Sequence, residues 1–132
     1  MIGLDTNVLL RALLDDDPEQ SLTARKLLQG LEPGRAGFVS VPVLMEFFWV
    51  LRTRYGLPRT RLVAVLHSLL ETEHLEFEAL QTVGKALSAY HDGRADFADL
   101  VISLRNQELG AEITYTFDKV AAKSVSGMEL LA

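Results

Sequence analysis

The chain contains no cysteine. That excludes disulfide frameworks, thiolate metal sites and cysteine nucleophiles together, and it makes a reducing cytoplasm the simplest setting. Long apolar runs are also missing: stretches such as Phe47–Leu51 are far too short to span a bilayer. No basic leader precedes Asp5, so a secretory signal is not expected and a soluble protein without membrane attachment is. Basic charge is in deficit, with 13 Lys and Arg against 18 Asp and Glu for a net charge of −5. A polyanion-binding surface therefore has to be local, as in the group Arg52, Arg54, Arg59 and Arg61, although that group reads first as a solvated helix surface. Nor is there an internal repeat, a low-complexity tract or a dividing linker. With 132 residues, 48% of them hydrophobic, the chain is expected to fold as a single domain over 1–132.

What is present is an alternation of short apolar runs and helical periodicity. Ile2 to Leu4 reads as a strand ending at Asp5, and Thr6 caps a helix through Leu14 with Val8, Leu9, Ala12 and Leu13 at helical spacing. Asp17 and Pro18 open a second helix that stops at Gly30. Phe38 to Val41 is the second strand, and Pro42 opens a third helix to about Tyr55. Pro58 starts a fourth helix through Leu70; 75–77 and the tail around 124–131 fit short strands or loop. Ala79 to Tyr90 is a fifth helix, Asp96 caps a sixth to Leu109, and Glu112 to Thr116 is another strand. Parallel strands need crossover connections, and helices supply them, so this order predicts an α/β sandwich around a mostly parallel sheet.

In such a sheet, residues that follow strands and the first turns of the next helices share the carboxyl edge. Asp5 ends the first strand, Glu46 falls in the first turns after the second, and Asp118 comes two residues after Thr116. The sixth helix runs back along the strand it precedes, which sends Asp99 to the same end. Glu46 is conspicuous within Val43–Trp49, where a lone acid needs a partner. Four converging carboxylates repel unless protonated or bound to a cation. An all-oxygen set suits magnesium, which combines a few carboxylates with substrate phosphate oxygens and activates water for phosphodiester hydrolysis. One ion or two is left open. Asp96 and Asp99 also suit helix capping and the dipole, and Asp118 suits a turn.

The opening Met1-Ile2-Gly3-Leu4-Asp5-Thr6-Asn7-Val8-Leu9-Leu10-Arg11 resembles that of PIN-domain ribonucleases, particularly VapC-type toxins. Glu46 after Val41-Pro42, Asp96-Phe97-Ala98-Asp99-Leu100-Val101-Ile102 and Thr114-Tyr115-Thr116-Phe117-Asp118-Lys119 extend the likeness in order across most of the chain. The resemblance implies a three-layer sandwich with a central, mostly parallel β-sheet flanked by helices. It also implies magnesium-dependent or manganese-dependent cleavage of RNA, a homodimer, and a cognate antitoxin in a type II toxin-antitoxin pair. It assigns Asp5, Glu46, Asp99 and Asp118 as metal ligands. Thr6, Asn7 and Thr116 become polar neighbours that orient carboxylates and waters, with Asp96 as an additional acid. Tyr115 departs from the smaller apolar residue of many relatives.

Two other readings compete. A haloacid-dehalogenase-type phosphatase also starts with an aspartate after its first strand but needs a second acid two residues later, where this chain has Asn7. A catalytically inactive RNA-binding or protein-binding module would not need all four acids. His67, His74 and His91 lack ligand spacing and read as surface or packing residues; the aromatic run Phe47, Phe48 and Trp49 reads as core or dimer contact. No glycine-framed nucleophilic serine and no phosphate-cradling loop occurs.

Overall fold

The computed structural model describes residues 1–131. The chain forms two compact units, Met1–Glu78 and Ala79–Ala132. In the first, β1 (Ile2–Gly3), β2 (Gly37–Val39) and β3 (Leu75–Phe77) alternate with α1 (Thr6–Leu13), α2 (Pro18–Gln29), α3 (Val41–Thr53) and α4 (Arg59–Leu70). The second holds α5 (Leu80–Asp92), α6 (Phe97–Glu108), β4 (Thr114–Thr116), α7 (Lys119–Ser124) and β5 (Met128–Leu130). Every strand pair is parallel, in the orders β1-β2-β3 and β4-β5. The expected α/β fold with parallel strands is therefore present. The first unit holds the three-stranded set β1-β2-β3 and the second the pair β4-β5.

β2 is the centre of the first sheet, with Gly37 opposite Ile2 on one side and Leu75 on the other. A Cβ at Gly37 would stand 2.9 Å from side-chain carbons of Leu4 and Leu75 and 3.0 Å from Leu31, so a bare backbone lets these side chains close over the strand. Val39, Leu44, Phe47, Leu51, Leu62 and Leu66 are among the most deeply buried residues of this unit's core. The aromatic run divides by helical phase: Phe47 and Phe48 are buried, whereas Trp49 is 54% exposed.

The helix ends show why the elements stop where they do. Asp17 accepts from the Gln20 amide at 3.1 Å and Pro18 opens α2, which is the expected start. Side chains of α2 then satisfy carbonyls left open at the end of α1: buried Ser21 donates to Leu14 O at 2.6 Å, and Arg25 Nε to Ala12 O at 3.0 Å. Val41, expected to end the second strand, is instead the first residue of α3. Ser40 takes the capping position and Glu78 Oε1 accepts the Val41 amide at 2.9 Å, drawing the chain into the helix one residue early. Asp5, not Thr6, is the residue before α1, and Pro58 precedes α4.

The second unit packs Val83, Ala86, Leu87, Phe97, Leu100 and Val101 from α5 and α6, with Tyr90 edge-on to Phe97 at 6.0 Å between ring centroids. Thr82 donates to Glu108, joining the start of α5 to the end of α6. The helix α7 was not anticipated. Six residues carry too little periodicity to stand out, although Asp118 ahead of Lys-Val-Ala-Ala-Lys is a capping signal. Glu112 and Ile113 precede the strand rather than joining it, and the short strand expected in the tail is β5. Before β5, Gly127 has φ +88°, and a Cβ there would press on Gln107 Nε2 and stand 2.7 Å from Ser103 Oγ. Ser103 cannot yield freely, since its hydroxyl donates to Ser126 O at 2.7 Å.

Two predictions follow from these contacts. Gly127→Ala combines a left-handed backbone with overpacking and should cost about 2 kcal/mol in chemical denaturation; an unchanged midpoint would show that the turn relaxes freely. In the first unit, Tyr55 donates to Asp16 at 2.5 Å while Arg11 Nη1 reaches both Asp16 oxygens at 3.0 and 3.1 Å. Tyr55, then Arg11, hold the Asp16 carboxyl below its ordinary value of 3.8, and the same bond raises Tyr55 above 10.0. The stabilisation is fully present between those ordinary values. It is lost as pH falls through the lowered carboxyl value or rises through the raised phenol value. The stability difference between wild type and Tyr55→Phe should therefore be greatest near neutrality and shrink in acid and in strong alkali. A difference that stays constant with pH would contradict the coupling.

Candidate functional site

Asp5 leaves the carboxyl end of β1 and stands at the N-cap of α1, where its backbone carbonyl takes the first helical amides while its carboxylate makes no capping bond. The carboxylate is exposed and has no hydrogen-bond or ion-pair partner among the described residues. Glu46, in the second turn of α3 after β2, is likewise exposed and without such a partner. Since β1 and β2 are parallel neighbours, α1 and α3 both start at one edge of the same sheet. The isolation of Glu46 among apolar neighbours is thus explained by exposure: it is the solvent-facing position of a helix whose Leu44, Phe47 and Phe48 point inward.

Thr6 is buried at 3% exposure, and its Oγ1 has no hydrogen-bond partner among the described residues. A hydroxyl in that condition costs stability unless a water or a ligand meets it. Asn7 is exposed and lines a groove of about 630 Å³ between α1 and α2, together with Val8, Arg11, Gln20, Thr23 and Leu27. Arg11 is already engaged there by Asp16 and by Gln20 Oε1 at 2.8 Å, so its charge is not open to an anion.

In the second unit, Asp96 takes the N-cap of α6 without capping it, and Asp99 lies in the first turn; both are half-buried and both are engaged with other groups. The last turns of α6 lie against the start of this unit's sheet, with Asn106 Nδ2 3.0 Å from Thr114 Oγ1 and Ser103 bonded to Ser126. Such packing directs the first turn of α6 away from the amino ends of β4 and β5. Asp118 follows β4, and its Oδ1 accepts from the amides of Val120 at 2.9 Å and Ala121 at 3.0 Å. Thr116 Oγ1 in turn accepts the Asp118 amide at 3.0 Å, fixing the turn. Asp118 is a structural cap as the turn reading held, and its Oδ2 has no hydrogen-bond partner among the described residues. Phe117, beside it, is 77% exposed.

Asp5 and Glu46 therefore belong to one unit, and Asp99 and Asp118 to the other. Within neither unit, among the described residues, do three or more acidic or histidine side chains gather closely enough to hold a metal ion. The donors themselves suit a hard divalent cation: they are carboxylate oxygens, those of Asp5 and Glu46 uncommitted to the protein, with the orphaned Thr6 hydroxyl next in sequence. The histidines stand apart from this set, His67 3.4 Å from Glu71 and His91 2.8 Å from Asp92. No helix among the described residues is long and apolar enough to cross a membrane.

No curated protein matches the chain. A family model described as PIN domain matches residues 2–125, from β1 through the end of α7 and across both units. The chain belongs to the PIN-domain family, whose fold is nuclease-like and whose members are generally nucleases that typically use divalent metal ions.

Proposed function

We propose that the protein is a magnesium-dependent endoribonuclease, with Asp5, Glu46, Asp99 and Asp118 as the carboxylates that serve the metal. The observation that carries this reading is the carboxylate of Asp5, which occupies a helix N-cap without capping and is followed by the buried, unpartnered hydroxyl of Thr6. A cap that forgoes its bond and a threonine that forgoes its own both lose stability, and a ligand that uses their oxygens accounts for both. A bound magnesium or manganese ion supplies Lewis acidity and an activated water for phosphodiester hydrolysis. The chain's own part is to hold the donors: β1 sets Asp5, α3 carries Glu46, α6 carries Asp99, and the bond from Asp118 N–H to Thr116 Oγ1 orients Asp118. Asn7 and Asp96 serve as polar neighbours that orient carboxylates and waters.

The same reading makes the protein the cytoplasmic toxin of a type II pair, a homodimer silenced by a cognate antitoxin. Its support is the sequence likeness at 1–11 together with an apolar groove of about 330 Å³, lined by Leu9, Leu13, Phe47, Val65 and Leu69, that offers a protein partner a surface in the first unit.

Cleavage of total RNA by purified protein should require magnesium or manganese and stop with chelator. Asp5→Asn and Glu46→Gln should each lower the rate by roughly 100-fold or more with melting changed little, as both side chains are exposed and unpaired. Asp118 should separate two roles: Asn retains an oxygen for the Val120 and Ala121 amides, so Asp118→Asn should lose activity alone, whereas Asp118→Ala should also lose about 1 kcal/mol of stability. Cleavage by Asp5→Asn at the wild-type rate, or in chelator, would end the proposal. Thr6→Val removes an unsatisfied buried hydroxyl at nearly constant shape. It should raise stability by about 1 kcal/mol while reducing cleavage; a destabilised, fully active variant would assign the hydroxyl to the fold.

A further inference from the structure

The cleft between α7 and β5, in the second unit, is lined by Lys119, Val120, Ala122, Lys123 and Leu130 and has a volume of about 310 Å³. Lys119 and Lys123 are four residues apart on α7 and so share one face of the helix. Both are exposed, and neither has an ion-pair partner among the described residues, in a chain whose net charge is −5. Arg11, Arg25 and Arg105, by contrast, are committed to Asp16, Asp15 and Glu108. Val120 of α7 and Leu130 of β5 give the cleft its apolar lining and are 65% and 41% exposed. Of the acids beside the cleft in sequence, Glu129 alternates with Leu130 along β5 and therefore points to the opposite face, paired in register with Tyr115, and Asp118 turns its Oδ1 to the amides of Val120 and Ala121.

Two uncommitted ammonium groups above an exposed aliphatic floor are complementary to a ligand that is anionic at one side and flat and weakly polar at the other. We propose that this cleft is a nucleotide subsite for single-stranded RNA, in which Lys119 and Lys123 hold backbone phosphates and Val120 and Leu130 pack against a base or ribose. The inference rests on the ribonuclease reading for its choice of ligand and deepens it. Because Lys119 directly follows Asp118, the subsite lies immediately beside a residue of the proposed chemistry and would grip the strand next to the bond that is cut. Lysine on a flexible stem suits this task, since it neutralises successive phosphates without reading sequence. A duplex would present paired, stacked bases with no face free to meet Val120 and Leu130, so single strands are favoured.

The test is equilibrium binding of a fluorescent single-stranded oligoribonucleotide to the full chain in chelator, where binding is read without cleavage. Lys119→Ala/Lys123→Ala should weaken binding roughly tenfold and make the slope of log K against log salt shallower by about 1.4, the share of two phosphates on a single strand. Lys119→Arg/Lys123→Arg should restore both. Leu130→Ala should weaken binding without changing the slope. Unchanged affinity and slope in the double alanine variant would overturn the proposal. So would equal competition by an acidic peptide, which would assign the cleft to a protein partner. If wild-type protein fails to cleave RNA with magnesium while the lysine dependence holds, the nuclease reading falls and the subsite stands. If cleavage occurs while the lysines make no difference, the subsite falls alone.

Discussion

Parallel pairing of β1 with β2 is the constraint on which the first unit depends. Parallel neighbours cannot be joined by a tight turn, so α1 and α2 must carry the chain from the end of β1 back to the start of β2. The return brings the amino ends of α1 and α3 to one edge of the sheet, and with them Asp5 and the helix that bears Glu46. Gly37 allows this close approach at the central strand, because any side chain there would meet Leu4, Leu31 and Leu75. The placement of Asp5 and Glu46 at that edge is thus a consequence of backbone pairing several residues away.

The same unit shows how polar groups are managed away from the edge. Carbonyls left open at the end of α1 are closed by Ser21 and Arg25 of α2, and the first amide of α3 is closed by Glu78 at the end of β3. Against this background of satisfied groups, the uncommitted carboxylate of Asp5 and the orphaned hydroxyl of Thr6 stand out. Asp96 also takes an N-cap without capping it, so what sets this pair apart is that the uncommitted carboxylate of Asp5 is followed directly by a buried hydroxyl without a protein partner.

Asp118 presents the opposite case. One of its oxygens accepts two amides of α7, and Thr116 fixes its turn, so the residue is structural, and the proposed reaction gives it a second task. The short helix it starts carries Lys119 and Lys123 along one face, which places positive charge beside an acidic residue in an acidic chain. In the proposed reading, a carboxylate for a metal and ammonium groups for a phosphate would be complementary demands of one polyanionic substrate.

Much of the fold was readable from residues alone. Caps and glycine stops announced α2 and α6, proline announced α3 and α4, and the alternation of runs announced parallel pairing; Asp5 was visible as the acid that ends an apolar strand. Other features rest on groups distant in sequence. Val41 is helical because Glu78 and Ser40 cap it, and Glu78 lies beyond two helices. Which strands neighbour one another within each unit follows from which strand edges meet, a matter of backbone pairing rather than side-chain identity. Sequence alone determined the local grammar of caps, breaks and periodicity, because these depend on neighbours within a turn or two. Only the tertiary structure decided that Glu46 faces solvent, that Thr6 is buried without a partner and that two lysines overlook an apolar cleft, because burial and charge pairing are set by residues the chain brings together only when it folds.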